Sequence, residues 1–266
     1  MNRLSVEKRA QILGLLVEGN SLRAASRLAD VSINTVTKLL VDVGQACSDY
    51  QDKALRGLSC SQVQCDEIWS FCYAKQKNVS PDMPDGTGDL WTWTAIDAES
   101  RLMISWMVGK RDLETARLFM QDLASRLVVR PQITSDGHLP YVEAIEESFG
   151  MDVDFGMLVK KYGTKPGDKR HQYLGADRTV VTGNPQSIGT SYVERANLTM
   201  RTNIKRFTRK TNAFSKKVDN HILAVSLHFM YYNFARIHKT LRMTPAMQAG
   251  ISDHVWSLEE IVQLPN

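Results

Sequence analysis

Three acidic residues stand where a folded chain could bring carboxylates together. Asp66 lies on the polar face of an alternating segment, residues 62–73, whose other face is apolar. Asp136 stands where a short apolar run ends before Gly137, although Asp-Gly pairs are also common in turns. Glu194 falls in the first turn of a predicted helix. Carboxylates that converge repel one another unless cations lie between them, so these positions predict a divalent-metal site.

Oxygen ligands of this kind suit Mg²⁺, which keeps open positions for water and phosphate oxygens. Two such ions, about 3.5–4 Å apart, can activate an attacking hydroxyl and stabilise the leaving oxygen in an in-line displacement at phosphorus. We therefore expect Asp66, Asp136 and Glu194 to be both metal ligands and catalytic residues. We expect two Mg²⁺ ions, for which Mn²⁺ can substitute.

Two further acids and one helix cap compete with this assignment. Asp97 also ends a strand-like segment and competes with Asp66. Glu67 adjoins Asp66 but falls on the apolar face, so it ranks lower as a ligand. The spacing Ser191-x-x-Glu194 also matches a capping box, in which the glutamate only satisfies a backbone N–H.

Charge is distributed unevenly along the chain. Residues 155–242 hold 17 Lys and Arg against four Asp and Glu, a net +13 in a chain whose total is +4. Such a stretch repels itself unless a polyanion binds it, and nucleic acid is the expected partner. The predicted DNA contacts here are Arg195, Arg201, Lys205, Arg206, Arg209, Lys210, Lys216 and Lys217.

Three short helices are predicted over residues 5–47, with Ser21 and Ser32 as N-caps of the second and third. A tight turn before a helix with a polar start is typical of a helix-turn-helix. A three-helix bundle used for dimerisation is the alternative. In the DNA-binding interpretation, the residues that face DNA are Ser32, Asn34, Thr35 and Lys38.

The order of elements after residue 60 is three strands, helix, strand, helix, strand, then helices. This order predicts an α/β fold, an RNase H-like mixed sheet flanked by helices, with an N-terminal all-α helix-turn-helix domain. The predicted organisation is a helix-turn-helix domain over 1–48, a linker over 49–60, a catalytic domain over 61–245 with a basic loop over 163–190, and a C-terminal tail over 246–266.

The four cysteines, Cys47, Cys60, Cys65 and Cys72, form no CxxC pair, and their spacing is unlike that of a zinc site. No apolar run approaches the roughly 20 residues that span a membrane, and no signal-peptide pattern is present at the N-terminus. We therefore expect a cytoplasmic, nucleoid-associated protein with no membrane partner.

The acidic positions lie in segments that resemble a known family. Residues 65–71 (CDEIWSF), 134–138 (TSDGH) and 192–198 (YVERANL) are similar to the three acidic motifs of the insertion-sequence-one transposases of the DDE class. The resemblance covers roughly residues 60–217. It implies an RNase H-like fold, Mg²⁺ dependence, cleavage at transposon ends and joining of the 3′-OH strand to target DNA. It also implies that Arg201 contacts DNA near the scissile phosphate.

Residues 232–245 are similar to the end of integrase-type catalytic domains. One departure from the family is that no cysteine precedes Cys47, so the N-terminal zinc finger common in it is missing. End recognition would then depend on the helix-turn-helix or on the basic loop.

The sequence therefore predicts a transposase that acts on double-stranded DNA, both transposon ends and target. Two ends must be brought together, so a homodimer or a larger assembly is expected. The alternatives are a domesticated, catalytically silent DNA-binding regulator and an RNase H-like nuclease that does not join strands.

Overall fold

The computed structural model describes residues 4–164, 170 and 172–265. The chain divides into two compact units. The first draws on Met1–Arg56, Trp69–Thr92 and Ala196–Asn266, and the second on Gly57–Ile68 and Trp93–Arg195. No helix of the described residues is long and apolar enough to cross a membrane.

The first unit is helical at both ends of the chain. The two predicted N-caps are confirmed: Ser21 Oγ accepts from Ala24 N–H, and Ser32 Oγ accepts from Thr35 N–H, both at 3.1 Å. These caps fix where the second and third helices begin. The helices are α1 Val6–Val17, α2 Leu22–Leu28, α3 Ile33–Ala54, α7 Val218–Met230, α8 Pro245–Gln248 and α9 Leu258–Gln263, with a π-helical turn at Tyr231–Ala235.

Helix α3 is longer than expected and packs along α7. A Cβ on Gly44 would lie 2.7 Å from the carbonyl oxygen of Leu223, so only glycine permits this approach. Ser226 Oγ also donates to the Gly44 carbonyl at 3.1 Å. Because buried positions continue along α3 to Gln51, residues 49–54, expected to begin a linker, are helical instead. The predicted domain boundaries otherwise remain a prediction.

The segment predicted as a C-terminal tail is folded. Helix α9 begins with a capping box formed by Ser257 and Glu260 and packs against α1. Arg9 NH1 donates to the Val262 carbonyl at 2.9 Å. The N-terminal helices therefore pack against later parts of the chain.

The second unit is centred on a six-stranded sheet in the order β3-β2-β1-β4-β5-β6. Strand β4 is parallel to both β1 and β5. This order, with the fourth strand beside the first, confirms the RNase H-like α/β fold. The strands are β1 Gln62–Cys72, β2 Gly88–Asp97, β3 Met103–Gly109, β4 Gln132–Asp136, β5 Asp154–Gly163 and β6 Gln172–Thr182; the helices are α4 Leu113–Arg126, α5 Pro140–Phe149 and α6 Ser191–Asn203.

The basic loop predicted over residues 163–190 contains a strand. Residues 172–182 form β6, which is antiparallel to β5 at the edge of the sheet. The β6 side chains are exposed or half-buried, so the strand is held by its backbone hydrogen bonds to β5. Its sequence therefore lacks the alternation of apolar and polar residues that is typical of a strand with one buried face. Residues 165–169 and 171 lie outside the described part of the chain.

Candidate active site

The register between β1 and β4 places Asp66 and Asp136 side by side in the sheet. Gln64 pairs with Thr134 in the parallel β1–β4 ladder, and the same offset puts Asp66 opposite Asp136. The Asp66 carbonyl accepts from the Thr94 hydroxyl at 3.0 Å, and Asp136 Oδ1 accepts from the His138 N–H at 3.0 Å. Both acids are therefore positioned by backbone hydrogen bonding.

Three carboxylates meet at this point of the sheet. One carboxylate oxygen each from Asp66, Glu67 and Asp136 lies within 4.8 Å of the other two. The structure therefore brings Asp66 and Asp136 together, as the sequence predicted, but adds Glu67. Within the described residues, Glu194 is not part of this group.

Glu67 is the most enclosed member of the group, with a side chain only 1% exposed. Arg111 donates to its Oε1 from Nε at 2.5 Å, and the Tyr141 hydroxyl donates to its Oε2 at 3.1 Å. Burial and the charges of Asp136 and Asp66 outweigh the attraction of Arg111 and raise the pKa of Glu67 to about 7. Glu67 is thus a buried carboxylate with dedicated partners.

Arg111 reaches two members of the acidic group. Its NH2 lies 2.5 Å from Glu67 Oε1 and 3.6 Å from Asp136 Oδ2. The next residue, Asp112, caps α4 by accepting from the Thr115 N–H at 3.0 Å. A helix N-terminus therefore fixes the backbone from which Arg111 extends.

Aromatic packing positions Tyr141, the second hydrogen-bond partner of Glu67. The Tyr141 ring packs edge-on against the Trp93 ring, with the two ring centres 5.2 Å apart. The His138 ring also packs against Trp93, with a distance of 5.5 Å between ring centres. Trp93 Nε1 donates to the Lys110 carbonyl at 3.0 Å. These contacts, with Trp93 and Tyr141 fully buried, support both Tyr141 and the turn that follows Asp136.

Glu194 lies on α6, whose start is attached to β1. Gln64 Oε1 accepts from Tyr192 N–H at 2.8 Å and from Val193 N–H at 3.3 Å. Glu194 Oε1 accepts from the Thr190 hydroxyl, and its Oε2 lies 2.6 Å from Lys160 Nζ. Both carboxylate oxygens of Glu194 therefore face groups other than the backbone N–H of a capping box.

Lys160 connects Glu194 electrostatically to the acidic group. Burial alone would lower the pKa of Lys160, but the hydrogen bond and charge of Glu194, with smaller contributions from Tyr162 and Asp66, raise it. An ammonium group thus stays charged next to Glu194. The field of Asp66 also acts on it.

The oxygen donors of the acidic group fit a hard divalent cation. Asp66 and Asp136 offer carboxylates from adjacent strands, and Asp136 is 34% exposed, so solvent and ions can reach it. The raised pKa of Glu67 has two like charges among its causes, which is the repulsion that a bound cation relieves. Mg²⁺ and Mn²⁺ both match this donor set.

The competing acid Asp97 has a structural role. It is buried, and its Oδ2 accepts from the Ser100 N–H at 2.8 Å and from the Ser100 hydroxyl at 2.5 Å. This is the pattern of a turn-stabilising aspartate.

All four cysteines are buried. Burial, with the charges of Asp97 and Glu99, raises the pKa of Cys60 to about 12, and burial likewise raises the pKa of Cys65. Protonated, enclosed thiols are poor metal ligands. Within the described residues, no cysteine joins a group that could hold a metal.

The predicted DNA contacts of the N-terminal helices are mostly exposed. Ser32, Asn34 and Lys38 are exposed at the start of α3, and Thr35 is half-buried. The Thr35 hydroxyl lies 2.9 Å from Ser32 Oγ, and Lys38 forms an ion pair with Asp42 at 2.9 Å. Asn34 is thus the most available of the four for a base contact.

Arg206 and Arg201 donate to groups within the fold. Arg206 donates to Ser215 Oγ at 3.2 Å and to the Asn220 carbonyl at 2.8 Å, and burial lowers its pKa to about 10. Arg201 NH1 lies 3.5 Å from the Phe207 carbonyl. The remaining predicted contacts in this stretch are exposed or half-buried: Arg195, Lys205, Arg209, Lys210, Lys216 and Lys217.

Sequence reasoning missed Arg111, Tyr141 and Lys160, and it did not place the Glu67 carboxylate next to that of Asp136. A glutamate at an apolar position of a strand is almost never buried unless it is paired, so Glu67 itself signalled a hidden partner. Nothing in the spacing identified that partner as Arg111, 44 positions away in the chain.

Comparison with known proteins finds similarity to a family model and to a related protein, each over part of this chain. Residues 174–239 match the family model described as IS1 transposase. The chain is 28% identical over 158 residues to the insertion element iso-IS1n protein InsB of Shigella dysenteriae, an alignment that covers 59% of this chain and 86% of that protein.

Among solved structures, the Mos1 transposase paired-end complex with left transposon end matches at 13% identity and a TM-score of 0.24, over 56% of this chain and 57% of that one. A pre-cleavage Mos1 transpososome matches at 11% identity and a TM-score of 0.23, over 86% of this chain and 79% of that one. Scores this low carry no argument, so the fold assignment depends on the strand order. Over these stretches the chain is therefore similar to IS1 transposases.

Proposed function

We propose that this chain cleaves phosphodiester bonds at transposon ends and transfers the 3′-OH strand to target DNA, with Asp66 and Asp136 at the centre of its active site. The observation that carries the proposal is the convergence of these two carboxylates from adjacent parallel strands. The similarity to IS1 transposases suggests the class of reaction, and the two carboxylates suggest where it takes place.

A divalent cation, most suitably Mg²⁺ as a pair of ions, would supply Lewis-acid activation of the attacking hydroxyl and of the scissile phosphate. Asp66 and Asp136 are the residues that would hold it. Glu67 supports them: its charge is balanced by Arg111, which also lies 3.6 Å from Asp136. Positioned carboxylates of this kind account for catalysis by orientation and electrostatics.

Glu194 is our proposed third catalytic carboxylate. It is 36% exposed and held by Lys160, whereas Glu67 is enclosed and already paired. Release from Lys160 would free Glu194 as a metal ligand and leave an ammonium group for a phosphate oxygen. Seven residues later on α6, Arg201 is proposed to contact DNA near the scissile phosphate.

The proposed DNA partners are duplex transposon ends and target DNA, engaged by a homodimer or larger assembly. We propose that α2 and α3 form a helix-turn-helix, because both helices begin at serine caps and the start of α3 exposes Asn34 and Lys38. Asn34→Ala should reduce discrimination between specific and random duplex. Gln45→Ala, further along the exposed side of α3, is the matched control; equal effects of the two would contradict base reading by Asn34.

Cleavage of a labelled duplex that carries the ends flanking the gene tests the catalytic proposal. Asp66→Asn, Asp136→Asn and Glu194→Gln should each abolish cleavage in Mg²⁺ and leave DNA binding near normal. Glu146→Gln, at an exposed position on α5, should cleave like the unmodified protein. Binding without cleavage by the unmodified protein would instead favour a silent regulator, and cleavage without joining would favour a nuclease.

A further inference from the structure

A cleft of about 820 Å³ lies within the first unit. Its walls come from α1–α3, from residues 203–217 and from α7, and its floor includes the apolar side chains of Val17, Leu40 and Leu227. Within the described residues, no aspartate or glutamate lines it. The cleft therefore combines an apolar floor with a lining free of negative charge.

Six cationic side chains line this cleft, and all six residues are exposed or half-buried: Arg23, Arg27, Lys205, Arg206, Lys216 and Lys217. None of them forms an ion pair with an acid in the described stretches of the chain. Like charges gathered without counter-charges repel one another, and a polyanion removes that repulsion. Phosphates of a nucleic acid backbone are the ligands that this arrangement fits.

A row of three aromatic rings begins at the cleft wall and extends away from it. Phe214 lines the cleft, its ring packs at 5.1 Å on Phe71, and Phe71 lies 5.7 Å from Trp69. All three rings are partly exposed. Lys75 Nζ lies 5.5 Å from the Trp69 ring centre and 5.8 Å from that of Phe71. A row of partly exposed rings with cations beside it is the arrangement on which unpaired bases stack.

We propose that this cleft binds an unpaired segment of DNA strand, with its phosphates at Lys216, Lys217 and the α2 arginines and its bases against Phe214. The cleft volume falls in the range of roughly 300–1,000 Å³ that encloses small-molecule-sized groups, which suits single nucleotides rather than a duplex. Bases inside a duplex already stack on one another and present no free face to a ring. The proposal depends on the DNA-processing function above only for the source of that strand.

Fluorescence anisotropy with a short labelled oligodeoxythymidine, and with a random duplex of equal length, tests the charge part of the proposal. The variant with Lys216→Gln and Lys217→Gln should bind the single strand about tenfold more weakly, and its salt slope should fall by about 1.4. The matched variant with Lys53→Gln and Lys239→Gln removes two exposed charges that do not line the cleft and are not among the predicted DNA contacts. It should retain most single-strand affinity.

The aromatic part is tested with Phe214→Leu, which keeps an apolar side chain against Phe71 but removes the stacking face. Single-strand affinity should fall about tenfold, and duplex affinity should change little, because base–ring stacking contributes on this scale. A 2-aminopurine in the oligonucleotide reports stacking directly: its fluorescence should be quenched by the unmodified protein and much less by Phe214→Leu. Thermal unfolding of each variant verifies that it is folded.

Equal losses on single strand and duplex in the Lys216 and Lys217 variant, or unchanged quenching in Phe214→Leu, would overturn the proposal. All binding is measured in EDTA, where the metal-dependent reaction is silent. Failure of single-strand binding is therefore distinguishable from failure of the catalytic proposal, which the cleavage assay decides separately.

Discussion

Arg111 and Glu67 form a one-sided ion pair: the carboxylate is 1% exposed, whereas the guanidinium is 38% exposed and donates to it at 2.5 Å. The carboxylate cannot turn to water, so Arg111 is what makes a charge tolerable there. The negative charges of the neighbouring carboxylates of Asp66 and Asp136 raise the pKa of Glu67, whereas the positive charge of Arg111 opposes that shift.

Arg111→Ala should destabilise the protein by about 2 kcal/mol, less than for a fully buried pair because water already reaches Arg111. Adding Glu67→Gln should restore most of that loss, since the amide needs no counter-charge. Denaturant unfolding of the two single variants and the double variant measures this coupling. Additive effects of the two changes would show that the pair is not coupled.

Lys160 and a divalent cation compete for Glu194 in our proposal. Lys160→Ala should therefore increase Mn²⁺ affinity several-fold, measured by titration calorimetry. Lys161→Ala is the control, because the adjacent Lys161 pairs with Asp177 at 2.7 Å instead. Unchanged or weaker Mn²⁺ binding in Lys160→Ala would mean that Glu194 is not a ligand.

Acid stability should depend on His228, which is buried on α7. Burial and the charge of Arg236 lower its pKa to about 3, against 6.5 for an exposed histidine. Neutral His228 therefore stabilises the fold above pH 6.5, and this contribution is lost as pH falls towards 3.

Between pH 7 and pH 5, the loss should be about 2 kcal/mol for this histidine. His228→Leu should reduce the total loss by that amount in unfolding experiments. His254→Asn should not, because His254 is exposed and its partners Asp253 and Glu260 raise its pKa. An unchanged loss in His228→Leu would contradict the buried neutral state.

Gly44→Ala should cost about 1–3 kcal/mol of unfolding free energy, because its methyl group would meet the Leu223 backbone at 2.7 Å and force α3 away from α7. Gly189→Ala is the comparison, since a Cβ there meets nothing within 4 Å. Similar melting temperatures for the two variants would show that the helices can separate without loss.

Patterns of period two and 3.6 located the elements that carry Asp66, Asp136 and Glu194, because those elements bury one face. They failed at β6, an exposed edge strand that is held by backbone pairing. The length of α3 was also missed, because its final turns pack on α7, a helix far away in the sequence.

At the candidate active site, the sequence motifs correctly identified Asp66 and Asp136 as acids whose carboxylates lie close together. They could not supply Arg111 or Lys160, because such pairs are determined by how the strands and loops come together rather than by local spacing. The Glu67 side chain shows the limit: alternation correctly predicted its burial, but burial alone did not indicate its neighbours.

The most direct test of the active site is cleavage by Asp136→Cys in Mg²⁺ and in Mn²⁺, with Glu146→Cys as the control. A thiolate suits Mn²⁺ better than Mg²⁺, so if Asp136 holds the metal, the variant should be inactive in Mg²⁺ and regain cleavage in Mn²⁺. Cleavage in Mg²⁺ at the rate of the unmodified protein would contradict the assignment of Asp136 as a metal ligand.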